Sequence, residues 1–234
     1  MQSTKIGKFT VYYEQSEEFH TVKREVFTHD SYYVELDTDE PVIIDAGAHI
    51  GLSTLYFKRF YPQAKIWAVE PIPDNFRLLE QNVFENQLSD VALINAALSD
   101  TAGRAVLHQD SSGHHWHSTA SRFAGAWNGA QKTIPIEVPA LLLSDLLYEI
   151  NQPIDLLKMD IEGSELAVLK EAEPRLGQVL QLLIEYHPRP EQPIDAIIIL
   201  LQHHGFTLEF WQNGRSVEPH RTKGLLYIQA KSKK

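Results

Sequence analysis

The sequence predicts an α/β protein built on a largely parallel sheet, and three observations carry that prediction. Short apolar runs alternate with stretches of helical spacing through most of the 234 residues, the rhythm of repeated βα units. Hydrophobic residues make up 43% of the chain against 22% charged, enough to bury a substantial core. The length just exceeds the usual span of one domain, which favours a single elaborated domain over 1–234 rather than two crowded ones.

The first run, Val42-Ile43-Ile44-Asp45-Ala46, reads as a buried strand. After a turn from Gly47 to Gly51, Leu52, Leu55, Tyr56 and Phe60 give residues 52–61 helical spacing. Residues 64–70 form the second strand. Its helix is announced by Pro71 and Pro73, with Asp74 as N-cap, and runs through Phe76, Leu79, Val83 and Leu88. A third strand covers 91–96. Residues 99–139 break the rhythm with four glycines and the His114-His115-Trp116-His117 cluster, and read as an inserted loop region on the substrate side with short strands at 104–108 and 133–138. The pattern resumes with a helix at 141–150, a strand at 154–160, a helix at 164–176, a strand at 179–185 and a helix at 194–204 ended by Gly205. Two last runs, 206–211 and 225–230, flank the turn-forming Asn213-Gly214 and predict a terminal antiparallel pair. Residues 1–40 read as an N-terminal extension and 231–234 as a frayed tail.

Composition removes several functions. With 21 Lys+Arg against 31 Asp+Glu the net charge is −10, which repels polyphosphate backbones and argues against a nucleic-acid partner. The absence of Cys excludes disulfides, thiolate metal sites, iron–sulfur clusters and a cysteine nucleophile. The longest apolar run, 196–201, is far short of the ~20 residues that cross a bilayer. The first thirty residues carry scattered charges rather than a signal-peptide pattern, so the expectation is a cytoplasmic protein with no membrane partner.

Asp45-Ala46-Gly47-Ala48-His49-Ile50-Gly51 falls where the first strand gives way to its helix, the place where open α/β sheets bind nucleotides. Glu70 ends the second strand about 20 residues past that turn, a spacing that suits a carboxylate accepting ribose hydroxyls. Charge selects among nucleotides. A diphosphate would be repelled by Asp45, whereas the α-ammonium and sulfonium of S-adenosylmethionine would be attracted. Asp45 also stands where the first glycine of Gly-x-Gly-x-x-Gly would fall.

These residues carry a wider resemblance. The segments Val42 to Gly51, Ala68-Val69-Glu70-Pro71, Asn95-Ala96-Ala97-Leu98-Ser99-Asp100, Leu157-Lys158-Met159-Asp160-Ile161-Glu162-Gly163-Ser164-Glu165 and Leu183-Ile184-Glu185-Tyr186-His187 resemble the FkbM-type branch of class I S-adenosylmethionine-dependent methyltransferases. The Lys-x-Asp-x-Glu-Gly-x-Glu block is the most specific piece, and the family pattern usually has Asn where His49 stands. The resemblance implies a Rossmann-like three-layer sandwich with a seven-stranded, mostly parallel sheet and an antiparallel C-terminal hairpin. It implies that Asp45, Gly47, His49 and Gly51 surround the methionine moiety, Glu70 the ribose and Asn95, Ala96 and Ala97 the adenine. It implies O-methylation of a hydroxyl on a small molecule, sugar or natural product.

The later motifs also read on their own. Alternation along 154–160 sets Lys158 and Asp160 on one side, so Asp160 reaches the sheet edge that holds the cofactor. Glu162 and Glu165 suit a helix's first turn, where the dipole favours acids. Glu185 and His187 close the next strand beside Asp160. Methyl transfer to a neutral hydroxyl needs a proton acceptor, for which His187 is the first candidate, Asp160 the second and Glu185 the orienting group. The His114, His115 and His117 cluster invites a metal, but the Ser/Gly-rich segment reads better as an exposed loop and no metal is expected. Tyr32-Tyr33 reads as packing for an N-terminal element. The competing functions are an NAD-dependent oxidoreductase on the same sheet edge and a non-catalytic S-adenosylmethionine-binding module. No motif identifies the acceptor or the oligomeric state.

Overall fold

A computed structural model describes residues 1–110, 120–124 and 133–233. The His114, His115, Trp116 and His117 cluster lies outside them. An antiparallel hairpin, β1 (Gln2–Ile6) and β2 (Phe9–Tyr13), precedes α1 (Ser16–Phe27). The βα units follow as β3 (Val42–Ala46), α2 (Leu52–Phe60), β4 (Lys65–Val69), α3 (Pro73–Glu85) and β5 (Val91–Ile94). Next come β6 (Ala97–Ser99), β7 (Gly103–Asp110), β8 (Ala120–Ser121), β9 (Thr133–Leu142) and α4 (Leu143–Ile150). The chain returns through β10 (Leu156–Met159), α5 (Glu165–Glu171), β11 (Gln181–Tyr186), α6 (Ile194–His203), β12 (Phe206–Gln212), β13 (Arg215–Ser216) and β14 (Leu226–Ser232).

The main sheet runs β13-β12-β14-β11-β10-β3-β4-β5. The pairs β11/β10, β10/β3, β3/β4 and β4/β5 are parallel, and β14 is antiparallel to both its neighbours. Every residue of β3, β10 and β11 is buried, because central parallel strands are covered on both faces. Alternation then assigns the faces. Ile44, Leu157 and Ile184 meet Leu146 of α4, Val168 of α5 and Leu201 of α6 in one core, while Ile43, Ile66 and Leu183 meet Tyr56 of α2 and Leu79 of α3 in another.

Three expectations are corrected. The main sheet has eight strands, not seven, because the Asn213-Gly214 turn closes a short hairpin between β12 and β13. The predicted pairing of the two last long strands does form, between β12 and β14, across a longer connection. The strands expected at 104–108 and 133–138 form, within β7 and β9, but the inserted region is more than a loop: Arg104 to Asp110 pair in register with Pro139 to Thr133, and β6 and β8 complete a second sheet of order β6-β9-β7-β8. Asp74 lies in the first turn of α3 rather than at its cap, because Pro73 sets φ at the first helical position.

The N-terminal hairpin is tied to α3 by side-chain amides. Buried Asn82 accepts from the Tyr12 amide at 2.7 Å and donates to the carbonyls of Tyr12 at 3.0 Å and Ile50 at 2.8 Å. Asn86 makes the equivalent pair with Thr10. This latch seats one face of α1, including Glu18 and Glu25, over the C-terminal ends of the central strands.

Candidate active site

A cavity of about 330 Å³ opens at the C-terminal ends of β3, β4, β10 and β11. Its first wall is the turn after β3. Gly47 has φ +74°, and a Cβ there would overlap the carbonyl oxygen of Asp160, so the close approach of this turn to β10 requires glycine. His49 also adopts a left-handed conformation, φ 53°, without being glycine.

Asp45 does not face the cavity. Its fully buried carboxylate accepts from Ser53 Oγ at 2.6 Å and Thr54 Oγ1 at 2.7 Å, both in the first turn of α2. Lys158 Nζ stands 3.3 Å from the other oxygen and donates to the Gly47 carbonyl at 2.7 Å. The charge that the sequence suggested for the cofactor is therefore met inside the protein. Burial works to lower the Lys158 pKa, but Asp45, Asp160 and Glu185 outweigh it and hold the ammonium charged. Gly51 packs against Leu79 at the start of α2, and Asn95 braces the loop after β4 by donating to the Glu70 carbonyl at 2.8 Å. Gly47, His49, Glu70, Ala96, Ala97 and Asp160 do line the cavity.

Glu70 is 4% exposed and held in place by the amides of His49 and Ile72, both at 2.9 Å, and by Asn75 at 3.3 Å. Burial pushes its carboxyl upward against those donors. Replacing Glu70 with Ala is expected to weaken S-adenosylhomocysteine binding by about 10-fold or more, read by isothermal titration, because the amides of His49 and Ile72 lose the acceptor that fixes this wall of the cavity.

The second wall is a cluster of acids around one imidazole. His187 Nδ1 lies 2.9 Å from Glu165 Oε1, and its Nε2 lies 3.2 Å from Glu162, 3.8 Å from Glu185 and 4.0 Å from Asp160. Glu165, fully buried, is fixed by the Gly163 amide at 3.1 Å and by Gln192 Nε2 at 2.7 Å. Burial alone would lower the His187 pKa; Glu162, Glu165 and Asp160 together raise it well above the usual range. The surrounding carboxylates thus favour the protonated form of His187. Burial, followed by Asp160, pushes Glu185 up to about 8, and burial likewise raises Glu162. Asp160, Glu185 and His187 place donor atoms within 4.8 Å of one another, a spacing a metal ion could bridge.

Sequence reasoning missed two residues from the N-terminal elements. Tyr32 sends its hydroxyl to Asp160 Oδ2 at 3.2 Å and Glu185 Oε2 at 3.1 Å, a site role rather than packing alone. Glu18, 3% exposed, lies 3.5 Å from His49 Nε2. The one signal for Glu18 was its place on the apolar stripe of Val22 and Val26 at helical spacing. The inserted region reaches the site too: Leu107 and Ala120 line the cavity, and Ser121 Oγ donates to the Glu162 carbonyl at 2.6 Å.

Residues 45–208 match the model of the methyltransferase FkbM domain, well over half of the chain. The chain belongs to the FkbM methyltransferase family. Among its relatives is methyltransferase sdnD of Sordaria araneosa, 32% identical over 218 residues, covering 80% of this chain and 82% of that protein. The 31-O-demethyl-FK506 methyltransferase FkbM of Streptomyces tacrolimicus is 29% identical over 229 residues, covering 85% and 86%. The fold resembles the crystal structure of methyltransferase FkbM from Methylobacillus flagellatus KT, with a TM-score of 0.51 at 20% identity over 81% of this chain and 44% of that one. The FkbM match takes in the glycine turn, Glu70, Asp160 and the His187 cluster. It leaves α1 with Glu18, and Tyr32, outside. Among the described residues no helix is long and apolar enough to cross a membrane.

Proposed function

We propose that this protein transfers the methyl group of S-adenosylmethionine to a hydroxyl of a small molecule, sugar or natural product. The observation that carries the reading is the sign of the cavity. Glu18, Glu25, Glu70, Asp160, Glu162 and Glu185 line it, while its buried cations, Lys158 and His187, are engaged with carboxylates. Burial raises Glu70, Glu162 and Glu185 toward their neutral forms, yet the wall still offers carboxyl oxygens as acceptors and, among the described residues, no free cation, which suits an ammonium, a sulfonium and ribose hydroxyls better than a diphosphate. The FkbM relative's name puts its methyl group on O-31 of FK506, which supports an oxygen acceptor.

Gly47, Ala48 and His49 would hold the methionine end, Glu70 the ribose, and Ala96 and Ala97 the base. When bound, S-adenosylmethionine supplies an electrophilic methyl group on a sulfonium that leaves as a neutral thioether. The chain's own task is to align the hydroxyl, exclude water and take one proton. The carboxylates around His187 favour its protonated form, so Asp160 rather than His187 is assigned as the acceptor of that proton. Asp160 takes the proton as the new C–O bond forms, because its side chain, 22% exposed, is the most open of the carboxylates touching His187.

The test has two steps. Isothermal titration should give S-adenosylhomocysteine binding to the purified protein, and a panel of hydroxylated acceptors should yield methyl ethers from labelled S-adenosylmethionine. Binding with no product across sugars, polyols and macrocyclic alcohols would overturn the enzymatic reading.

A further inference from the structure

We propose that Tyr32 relays the proton taken up by Asp160 onward to Glu185, an assignment that rests on the hydroxyl-methylation reading above. One phenolic oxygen lies 3.2 Å from Asp160 and 3.1 Å from Glu185. A hydroxyl carries one proton, so it can donate to only one of two carboxylates at a time. The second contact is satisfied when the other carboxyl is protonated and donates to the phenol oxygen. Acid, phenol and acid therefore share two protons among three sites, which is the minimal proton wire.

The transfer balances. As the acceptor oxygen bonds to the methyl carbon, its proton passes to Asp160. That proton then moves to the Tyr32 oxygen while the original phenolic proton moves to Glu185. Asp160 is restored as a carboxylate, Tyr32 is unchanged, and neutral Glu185 returns the proton to solvent through the cavity it lines.

The hydroxyl is held still for this work. Tyr32 is 6% exposed, and the backbone that follows it is pinned at four points. Gln229 donates to the Tyr33 carbonyl at 3.3 Å, Tyr61 donates to the Val34 carbonyl and accepts from the Leu36 amide, both at 3.0 Å, and Gln181 donates to the Glu35 carbonyl at 3.0 Å. Lys158 Nζ, 3.8 Å from Asp160 and 5.2 Å from the Tyr32 ring centroid, favours the ionised acid at the receiving end. Glu25, which accepts from Tyr227, faces Glu185 and favours its neutral form, while His187 beside both acids opposes this. Burial and the neighbouring acids keep the Tyr32 phenol itself protonated.

Tyr32→Phe removes the hydroxyl and keeps the ring. Without any acceptor, infrared titration of the protonated carboxyl band should give a midpoint near pH 8 in the wild-type protein, absent in Glu185→Gln and shifted downward by about half a unit or more in Tyr32→Phe, which loses the oxygen that accepts from neutral Glu185. An identical midpoint in Tyr32→Phe overturns the bridge. With a hydroxyl acceptor, wild-type turnover should rise as pH increases through about 8, as Glu185 becomes able to receive a proton. Tyr32→Phe should lower kcat by about 10-fold or more and flatten that rise, with S-adenosylhomocysteine affinity unchanged. Unchanged kcat, or a loss of kcat that only follows lost cofactor affinity, overturns the relay. The infrared arm needs no methyl acceptor, so failure of the relay and failure of the methyl-transfer reading are read separately.

Discussion

Asp160→Asn is expected to lower methyl transfer by about 10²–10⁴-fold while S-adenosylhomocysteine affinity stays within about threefold. The split follows from which atoms of Asp160 do what. Its backbone carbonyl packs against Gly47 and its amide donates to the Ala46 carbonyl at 3.1 Å, so the Gly47 turn keeps its support in the variant. Its carboxylate meets Tyr32, Lys158 and His187, the groups that the proposed proton transfer involves or borders. Asparagine fills the same space but cannot accept a proton. Steady-state rates with a fixed hydroxyl acceptor, paired with calorimetry, measure both halves. Near-wild-type turnover would remove Asp160 as proton acceptor.

Lys158→Met is expected to destabilise the fold by about 3–5 kcal/mol, since it leaves the buried Asp45 carboxylate without its cation. Ser53 and Thr54 would still donate to one oxygen, but no cation would stand beside the other, and the carbonyls of Ala46 and Gly47 would lose a donor. In a domain of this size each kcal/mol moves the melting temperature by about 2–4 °C, so the drop should be on the order of 10 °C in a thermal melt. Adding Asp45→Asn should recover part of it by removing the stranded charge. A shift of only a degree or two would show that the pair contributes little.

The parallel core was legible in the sequence because its strands are buried on both faces and so appear as continuous apolar runs, as at Val42 to Ile44 and Leu182 to Ile184. In the second sheet the strands at 104–108 and 133–138 were legible but their pairing was not, because Arg104, Val106, Ile134 and Glu137 are exposed and the pairing is set by register between distant segments rather than by an apolar pattern. The same distinction divides the site. Glu70, Asp160, Glu185 and His187 end strands, so position alone marked them. Tyr32 follows α1 in an irregular segment, and nothing in its neighbours announces that it will meet Glu185 across 153 residues of chain.

The reading of Asp45 illustrates a further limit. A carboxylate opening a nucleotide turn looked like a free charge in the sequence, yet its partner is Lys158 on the adjacent strand, paired in register with it. Glu18 and Glu70, not Asp45, are the acids that stand on the wall at that turn. Family membership, from the match over residues 45–208, supports S-adenosylmethionine as the cofactor independently of the charge argument.

The most direct measurement is a calorimetric comparison of S-adenosylmethionine, S-adenosylhomocysteine and NADH on the same preparation. Saturable binding of the two adenosyl amino acids with no detectable NADH binding is the predicted result. Saturable NADH binding, with neither sulfur ligand bound, would contradict the account at its base.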